Sequence, residues 1–589
     1  MTGARALRIV VVGAGNMGRR WLGVAQDSSA FEVVGLVDLD LDGARAAAET
    51  VGRPDLPLAT DLAEILERVE TDAVANVTIP AAHHPITRAA LLRGLPVVSE
   101  KPAAATLAES LALVAASEMS GQLVVVSQSR RHNGQLHEFA QRAGALGRIG
   151  IATTEFFRAP RFGGFRDAMD HPLLVDMAIH PFDSARFLLD ADPVAVYCEE
   201  YNPSWSWYEG DAAATAIFEM DEGIRYVYSG SWASQGMETS WNGSWRVSSE
   251  NGSVVWDGDT RPESEPGTSA EAVELEHGGI SESLHAFAGA LLGGGTCSGE
   301  VHDNVISLAM VEAAVESARS RTRVVIDDVL EGARQEAIRD AGGEIRTGVG
   351  VDSLARLDAR DVVFNTSSRI LGEILMASSP SPAVARRARR LLEAPVGGAA
   401  AKVDLVLSGP VPWRDGRLAD AGTVHLGGDS HAIAAAEREV AAGRHADRPM
   451  ILVSQPWVTD PGRIAPDGRR PLWTYAHVPA FSDRDQTEQV LAALEAVAPG
   501  VRDVVVAAHC TPADRMDEHN ANNAGGDIAA GRVDLRGLIA RPVPRADPFA
   551  TGIPGVWHAS GSTPPGPGVH GMAGQHVAER ILGGLPTRW

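Results

Sequence analysis

A chain of 589 residues is too long for one core, and domains of roughly 100 to 200 residues predict three or four units. Hydrophobic residues make up 44% and charged residues 22%, so packed cores are expected throughout, while a formal charge of -24 repels phosphate backbones and anionic membranes. Nucleic acid and membrane partners are therefore excluded as expectations. The three cysteines, Cys198, Cys297 and Cys510, form no C-x-x-C pair, which argues against a disulfide framework or a thiolate metal site, and no metal is predicted. With no signal-peptide pattern at the start and no stretch of 18 apolar residues, a soluble protein of the reducing cytoplasm is expected.

The first strand pattern is Leu7 to Val12, a β-branched run suited to a parallel strand buried on both faces. It ends in Gly13-Ala14-Gly15-Asn16-Met17-Gly18 and a helical pattern follows. Gly13 permits the tight turn, Gly15 lets backbone approach a pyrophosphate, and Gly18 lets the helix pack on the strand. A second strand pattern reaches Asp38, twenty positions beyond Gly18. A carboxylate there can accept both ribose hydroxyls of NAD and repel the extra phosphate of NADP, so NAD is expected over NADP. A similar glycine string, Gly566 to Gly571, has no second βαβ unit behind it and carries no such prediction.

Strand patterns recur at Asp72 to Ile79, Leu95 to Ser99 and Leu123 to Ser127, each separated by a helical stretch, which predicts a doubly wound α/β sheet over residues 1–131. Ligands of such sheets bind at the carboxyl ends of the strands. Thr78, Pro80 and His84 lie at one such end, and Glu100 and Lys101 at another.

Beyond Arg131 the strands lengthen and alternate, as in Ile149 to Phe157, with turns at Asp221-Glu222-Gly223 and Asn251-Gly252. A mostly antiparallel α+β domain is predicted over 132–330, forming the other wall of a cleft. It contains the apolar helical pattern His171 to Asp183, with Asp176 and His180 four apart on one face. Imidazole titrates near working pH and suits proton removal from an alcohol. Asp176 could orient the ring and favour its protonated form, and Lys101 could stabilise a developing alkoxide.

Together GAGNMG, Asp38, TIPAAHH from Thr78, EKP from Glu100 and LLVDMAIHPFD from Leu173 resemble the glucose-fructose oxidoreductase, inositol dehydrogenase and rhizopine catabolism family (Gfo/Idh/MocA) over roughly residues 5–328. The resemblance implies that Lys101 contacts substrate and nicotinamide, that His180 is the acid/base and that Asp176 assists it. It implies cofactor contacts from Gly13, Gly15, Asn16, Met17, Gly18, Asp38, Thr78, Pro80, His84 and Glu100. The implied activity is NAD-dependent oxidation of a sugar, inositol or related polyol by a homo-oligomer. A transient NAD-using glycosidase and a non-catalytic nucleotide-binding or assembly protein are the alternatives.

Residues 331–589 carry further strands and helices. AGGEIRTG, RPMILVSQPWVTDP, WTYAHVP, NNAGGDIAAG and SGSTPPGPGVHGMAGQH resemble the C-terminal half of phytoene dehydrogenase-like FAD oxidoreductases. That likeness implies FAD contacts at Gly561, Gly568, Val569, Gly571 and Met572. Such enzymes open with their own βαβ unit for the ADP half of FAD, and nothing between Glu331 and Trp589 supplies one. The expectation is therefore a fusion of a complete dehydrogenase to a truncated flavoprotein region, accessory or half of a flavin site. Its seam falls within Val329 to Gly343.

Overall fold

Short β-branched runs need cover on both faces, and the computed structural model gives it to them. The strands β1 (Leu7–Val12), β2 (Phe31–Val37), β3 (Leu58–Ala59), β4 (Ala73–Asn76), β5 (Val97–Ser99) and β6 (Val124–Val126) form a parallel sheet in the order β3-β2-β1-β4-β5-β6. The order reverses between β1 and β4, which opens a crevice at their carboxyl ends. The structure describes residues 5–582 except 269, 271–272, 274, 276, 294, 379–380, 533–536, 538–539 and 569–570. They fall into two units, Met1–Arg346 and Thr347–Trp589.

β4 stops at Asn76, three residues short of the sequence pattern, because the Asn76 side chain turns back to donate to His83 O at 3.0 Å and Thr87 Oγ1 at 3.1 Å. Thr78 and Ile79 are thereby released as the lead into the helix Pro80–Leu91. β2 likewise ends at Val37, leaving the Asp38 carboxylate just beyond the sheet.

The second sheet of this unit comprises β7 (Ile149–Phe157), β8 (Pro193–Tyr201), β9 (Ala213–Met220), β10 (Arg225–Ser231), β11 (Ser244–Ser249), β12 (Gly252–Trp256), β13 (Glu263–Glu265) and β14 (Val324–Val325). Its order is β13-β12-β11-β7-β10-β9-β8-β14, antiparallel except for the β7–β10 pair. The sheet is thus mixed. The β9–β10 turn at Asp221–Gly223 places Glu222 at φ 58°, and β11 and β12 turn at Asn251-Gly252. Phe182 is the hub of its core, with Phe218 and Tyr228 rings edge-on at 4.8 and 5.3 Å.

Later helices bind the two sheets into one body. The helix Ile280–Gly293 returns to the first sheet, where Leu284 and Phe287 share a core with Trp21 and Leu22. The helix Ile326–Asp340 spans the seam expected from sequence, and its Leu330 and Ala333 lie in the second-sheet core of the first unit.

Thr347–Trp589 is built on five strands, β16 (Ala399–Leu407), β17 (Thr423–Leu426), β18 (Ile451–Ser454), β19 (Arg470–Val478) and β20 (Val505–Thr511), in the antiparallel order β17-β18-β19-β16-β20. Two further short strands, β15 (Val362–Phe364) and β21 (Val556–His558), pair in parallel as a separate sheet. The strand Val556–His558 precedes the glycine–proline loop, and the helix Met572–Ile581 follows it. No helix among the described residues is long and apolar enough to cross a membrane.

One buried ion cluster crosses the first unit. Arg131, just past β6, donates from Nε and Nη2 to the two Asp183 oxygens at 2.7 and 2.8 Å and from Nη1 to Asp303 Oδ2 at 2.9 Å. Ser307 Oγ donates to Asp183 as well, at 2.7 Å. Asp183 is 1% exposed, so Arg131→Met would strand a buried carboxylate. We expect a loss of about 3–5 kcal/mol in urea unfolding, with Arg131→Lys recovering part of it.

Candidate active site

The crevice begins with the glycine loop after β1. Gly13 sits at φ +107°, and a Cβ there would lie 2.5 Å from Val77 O, so the turn presses directly on the chain leaving β4. A Cβ on Gly18 would fall 2.0 Å from Gly13 O, which is the helix-to-loop contact that only glycine allows. Around Gly15 the reverse holds: a Cβ would meet nothing within 4 Å. The helix Asn16–Asp27 starts there with no side-chain cap, so its first amides are free to face an anion. Asn16 and Met17 are exposed on the same turn.

Asp38 shapes this cradle from the side. Its Oδ2 accepts the Ala14 N–H at 2.6 Å and its Oδ1 the Asp40 N–H at 2.9 Å. An open space bounded by glycine, uncapped amides and a carboxylate fits a dinucleotide such as NAD.

Both oxygens of Glu100 are engaged within the protein. Oε1 accepts Trp21 Nε1–H at 2.8 Å, from the helix behind the glycine loop, and Oε2 accepts the Lys101 N–H at 3.0 Å. Thr78 donates from Oγ1 to Asn76 Oδ1 at 2.7 Å, and Pro80 opens the helix Pro80–Leu91. His84, singled out in the sequence, is half-buried on that helix, and no hydrogen bond joins it to Lys101, Asp176 or His180. Its neighbour His83 occupies the junction instead, fully buried, with ring nitrogens 2.6 Å from Pro102 O and 3.1 Å from Thr78 O.

Across the crevice, Pro172–Ala178 forms a π-helical turn that runs straight into the α-helix Ile179–Leu189. Such turns widen the helix and are frequent at functional sites. The Asp176 carbonyl belongs to this turn. That oxygen accepts Lys101 Nζ–H at 2.7 Å, and Lys101 also reaches Asp176 Oδ1 at 3.3 Å. The carboxylate's other oxygen accepts Arg166 Nε–H at 2.6 Å. Burial works against the Asp176 charge, but Lys101 and then Arg166 outweigh it and hold the carboxyl below the usual carboxylate range.

His180 lies near enough to feel both Lys101 and Arg130. Burial first, then those two cations, hold its imidazole well below the ordinary value, and Nδ1 is buried without a hydrogen-bond partner. This departs from the expected Asp176–His180 couple. Asp176 is already paired with Lys101 and Arg166, and no hydrogen bond from it to His180 favours the protonated ring. Arg130 and Arg166 went unselected in the sequence. The Arg130-Arg131 doublet at the carboxyl end of β6 was the available signal for the first; nothing local marked the second.

Among the described residues, no group of three or more His, Cys, Asp or Glu side chains is placed to hold a metal ion. In the second unit, Gly561 lies in a turn and Gly571, at φ +62°, precedes the helix Met572–Ile581 that Met572 begins. Gly568 lies in the loop before it, and Val569 falls outside the described residues.

Comparison with known families bears on residues 7–255. Residues 7–128 match the oxidoreductase family with an NAD-binding Rossmann fold (GFO_IDH_MocA), and residues 139–255 match the GFO/IDH/MocA C-terminal domain. Residues 7–255 carry both Gfo/Idh/MocA oxidoreductase domains. This Gfo/Idh/MocA part is an NAD-binding oxidoreductase. The chain is 29% identical to the protein y4oX of Sinorhizobium fredii over 56% of its own length and 98% of that protein. It is 34% identical to inositol 2-dehydrogenase 4 of Saccharopolyspora erythraea over 33% of its own length and 56% of that protein. Its fold is also that of an oxidoreductase from Agrobacterium radiobacter solved with NAD+, L-tartaric acid and magnesium, at TM-score 0.51 and 20% identity, covering 55% of this chain and 99% of that one.

The glycine geometry makes a paired prediction for the Gfo/Idh/MocA unit. Gly18→Ala must push the helix off the loop, costing about 1–3 kcal/mol of stability. Gly15→Ala keeps its stability yet loses NAD affinity, since the methyl group enters the cradle. Thermal melts and NADH fluorescence titration of both variants separate the two effects.

Proposed function

We propose that the first unit is an NAD-dependent dehydrogenase acting on a hydroxyl-bearing carbon of a sugar, inositol or related polyol, with Lys101, Asp176 and His180 at the reacting centre. The observation that carries this reading is the meeting of Lys101, from the carboxyl edge of the nucleotide sheet, with the Asp176 turn, within charge range of a neutral His180. The named activity of the inositol 2-dehydrogenase relative agrees with it.

Oxidation of an alcohol breaks an O–H and a C–H bond on neighbouring atoms. His180, kept neutral by burial and by two nearby cations, has the free nitrogen needed to accept the hydroxyl proton. Lys101, held in place by Asp176, keeps a cation beside the oxygen as negative charge develops there. Asp176 itself stays ionised and anchors Lys101 and Arg166, so its part is positioning. Bound in the cradle between Gly15 and Asp38, NAD supplies a two-electron acceptor for the breaking C–H bond.

For the second unit we infer an accessory part. Its described parallel pairing is limited to the two strands Val362–Phe364 and Val556–His558, which gives no ADP-binding βαβ unit for FAD. A flavin bound at one per purified chain would overturn that reading.

NADH formation against a panel of sugars, inositols and their acids is the direct test. Lys101→Ala and His180→Ala should each lower turnover by about 10²- to 10⁴-fold; unchanged rates in both would end the assignment. The pH profile gives a second check with a definite sign. A base must be unprotonated to act, and His180 titrates below the ordinary imidazole value of about 6.5. The rate of alcohol oxidation should therefore stay level as pH falls through 6.5 and drop only below it.

A further inference from the structure

The two arginines that follow β6 live in opposite surroundings. Arg131 is saturated by Asp183 and Asp303. Arg130 has Nη2 3.7 Å from Met177 Sδ, a weak acceptor, and its Nη1 is buried without a hydrogen-bond partner. Burial pushes the Arg130 guanidinium down to about 9, and only Tyr228, whose own hydroxyl is unpartnered, works the other way. No carboxylate of the described residues pairs with it. An arginine keeps its proton even there, so a cation lies buried with no carboxylate among the described residues to neutralise it.

Arg130 also lines a cavity of about 560 Å³, shared with Ser129, His132, Asn133, Asn242 and His277. None of the described residues lining it is acidic. The volume lies within the usual range of small-molecule sites, and Arg130 is also close enough to His180 to depress the imidazole. Neither of the other cations of the centre is free to meet an anion in this cavity, because Lys101 and Arg166 both hold Asp176.

We propose that this cavity is a subsite for a carboxylate carried by the substrate, so that the substrate is a sugar acid or another polyhydroxy acid rather than a neutral polyol. A carboxylate there would give the guanidinium its missing counter-charge through paired N–H···O bonds, and would set the distance from Arg130 at which a hydroxyl meets His180 and Lys101. The proposal rests on the reading of Lys101 and His180 as the reacting centre, and it makes Arg130 the residue that selects acid over neutral substrate.

The experiment pairs hexuronates with their parent hexoses, which differ only in a terminal carboxylate against a hydroxymethyl group. Calorimetric titration of the full chain loaded with NAD should find at least one hexuronate bound more tightly than its parent. In Arg130→Met that preference should fall by about 10- to 100-fold, the worth of one or two charge-assisted hydrogen bonds. Arg130→Lys, which keeps the charge without the paired donors, should retain part of it and serves where the methionine variant does not fold. Equal binding of acids and parents by the wild type, no binding of either, or a preference that survives in both variants would overturn the subsite. NADH formation is read in the same samples. Uronate binding that depends on Arg130 but yields no NADH leaves the subsite standing and removes the dehydrogenase reading; NADH from neutral hexoses with no response to Arg130 does the reverse.

Discussion

The bidentate pair between Arg131 and Asp183 is the constraint on which the site geometry depends. Arg131 stands at the end of β6, on the carboxyl edge of the nucleotide sheet, and Asp183 lies on the same helix as His180, three residues further along. With Asp303 and Ser307 joining from a third helix, the cluster fixes the distance between two sheets that are otherwise built independently. Both partners are buried, where an ion pair contributes little net stability but is costly to break. Its value lies in register: one turn of helix from a pinned residue, the imidazole has little freedom to drift from the crevice.

Around that pin the charges are distributed unevenly. Lys101 and Arg166 pair with a single ionised carboxylate, Asp176, while Arg130 and Lys101 lie within charge range of the His180 imidazole, which responds by staying neutral. A proton acceptor benefits from this arrangement, because a neutral ring is available at working pH without a dedicated acid to charge it. The same excess of positive charge suits an oxygen that becomes negative as its proton leaves. The Asp176 carbonyl adds a second acceptor for Lys101, so that backbone and carboxylate together hold the amine.

The nucleotide sheet was legible in the sequence because its signals are local. β-branched runs, a glycine fingerprint and a carboxylate at fixed spacing all lie within one βαβ unit, and β1 begins and ends where its pattern does, as β7 does in the second sheet. Strand ends were less legible: β4 is cut short by a side-chain bond from Asn76, an event that no periodicity encodes. Lys101, Asp176 and His180 were readable as a group, but their partnership was not. Spacing of four suggested an Asp176–His180 couple on an ordinary helix. The π-helical turn and the arrival of Arg166, ten residues away, redirected the carboxylate. His83 was passed over for His84 because adjacent histidines differ only in which way the helix turns them.

Arg130 and Arg131 show where local reading ends most sharply. They are consecutive, identical in chemistry and equally close to the end of β6, so propensity, charge and position cannot tell them apart. What separates them is the third dimension: one side chain meets two carboxylates from helices far along the chain, and the other meets a thioether, a tyrosine hydroxyl without a partner and an open cavity. A folded protein generally satisfies its buried charges, and departures concentrate where a ligand completes the set. By that rule Arg131 belongs to the scaffold and Arg130 to whatever the scaffold holds, and the contrast within one dipeptide is stronger than either observation alone, because each arginine is the control for the other.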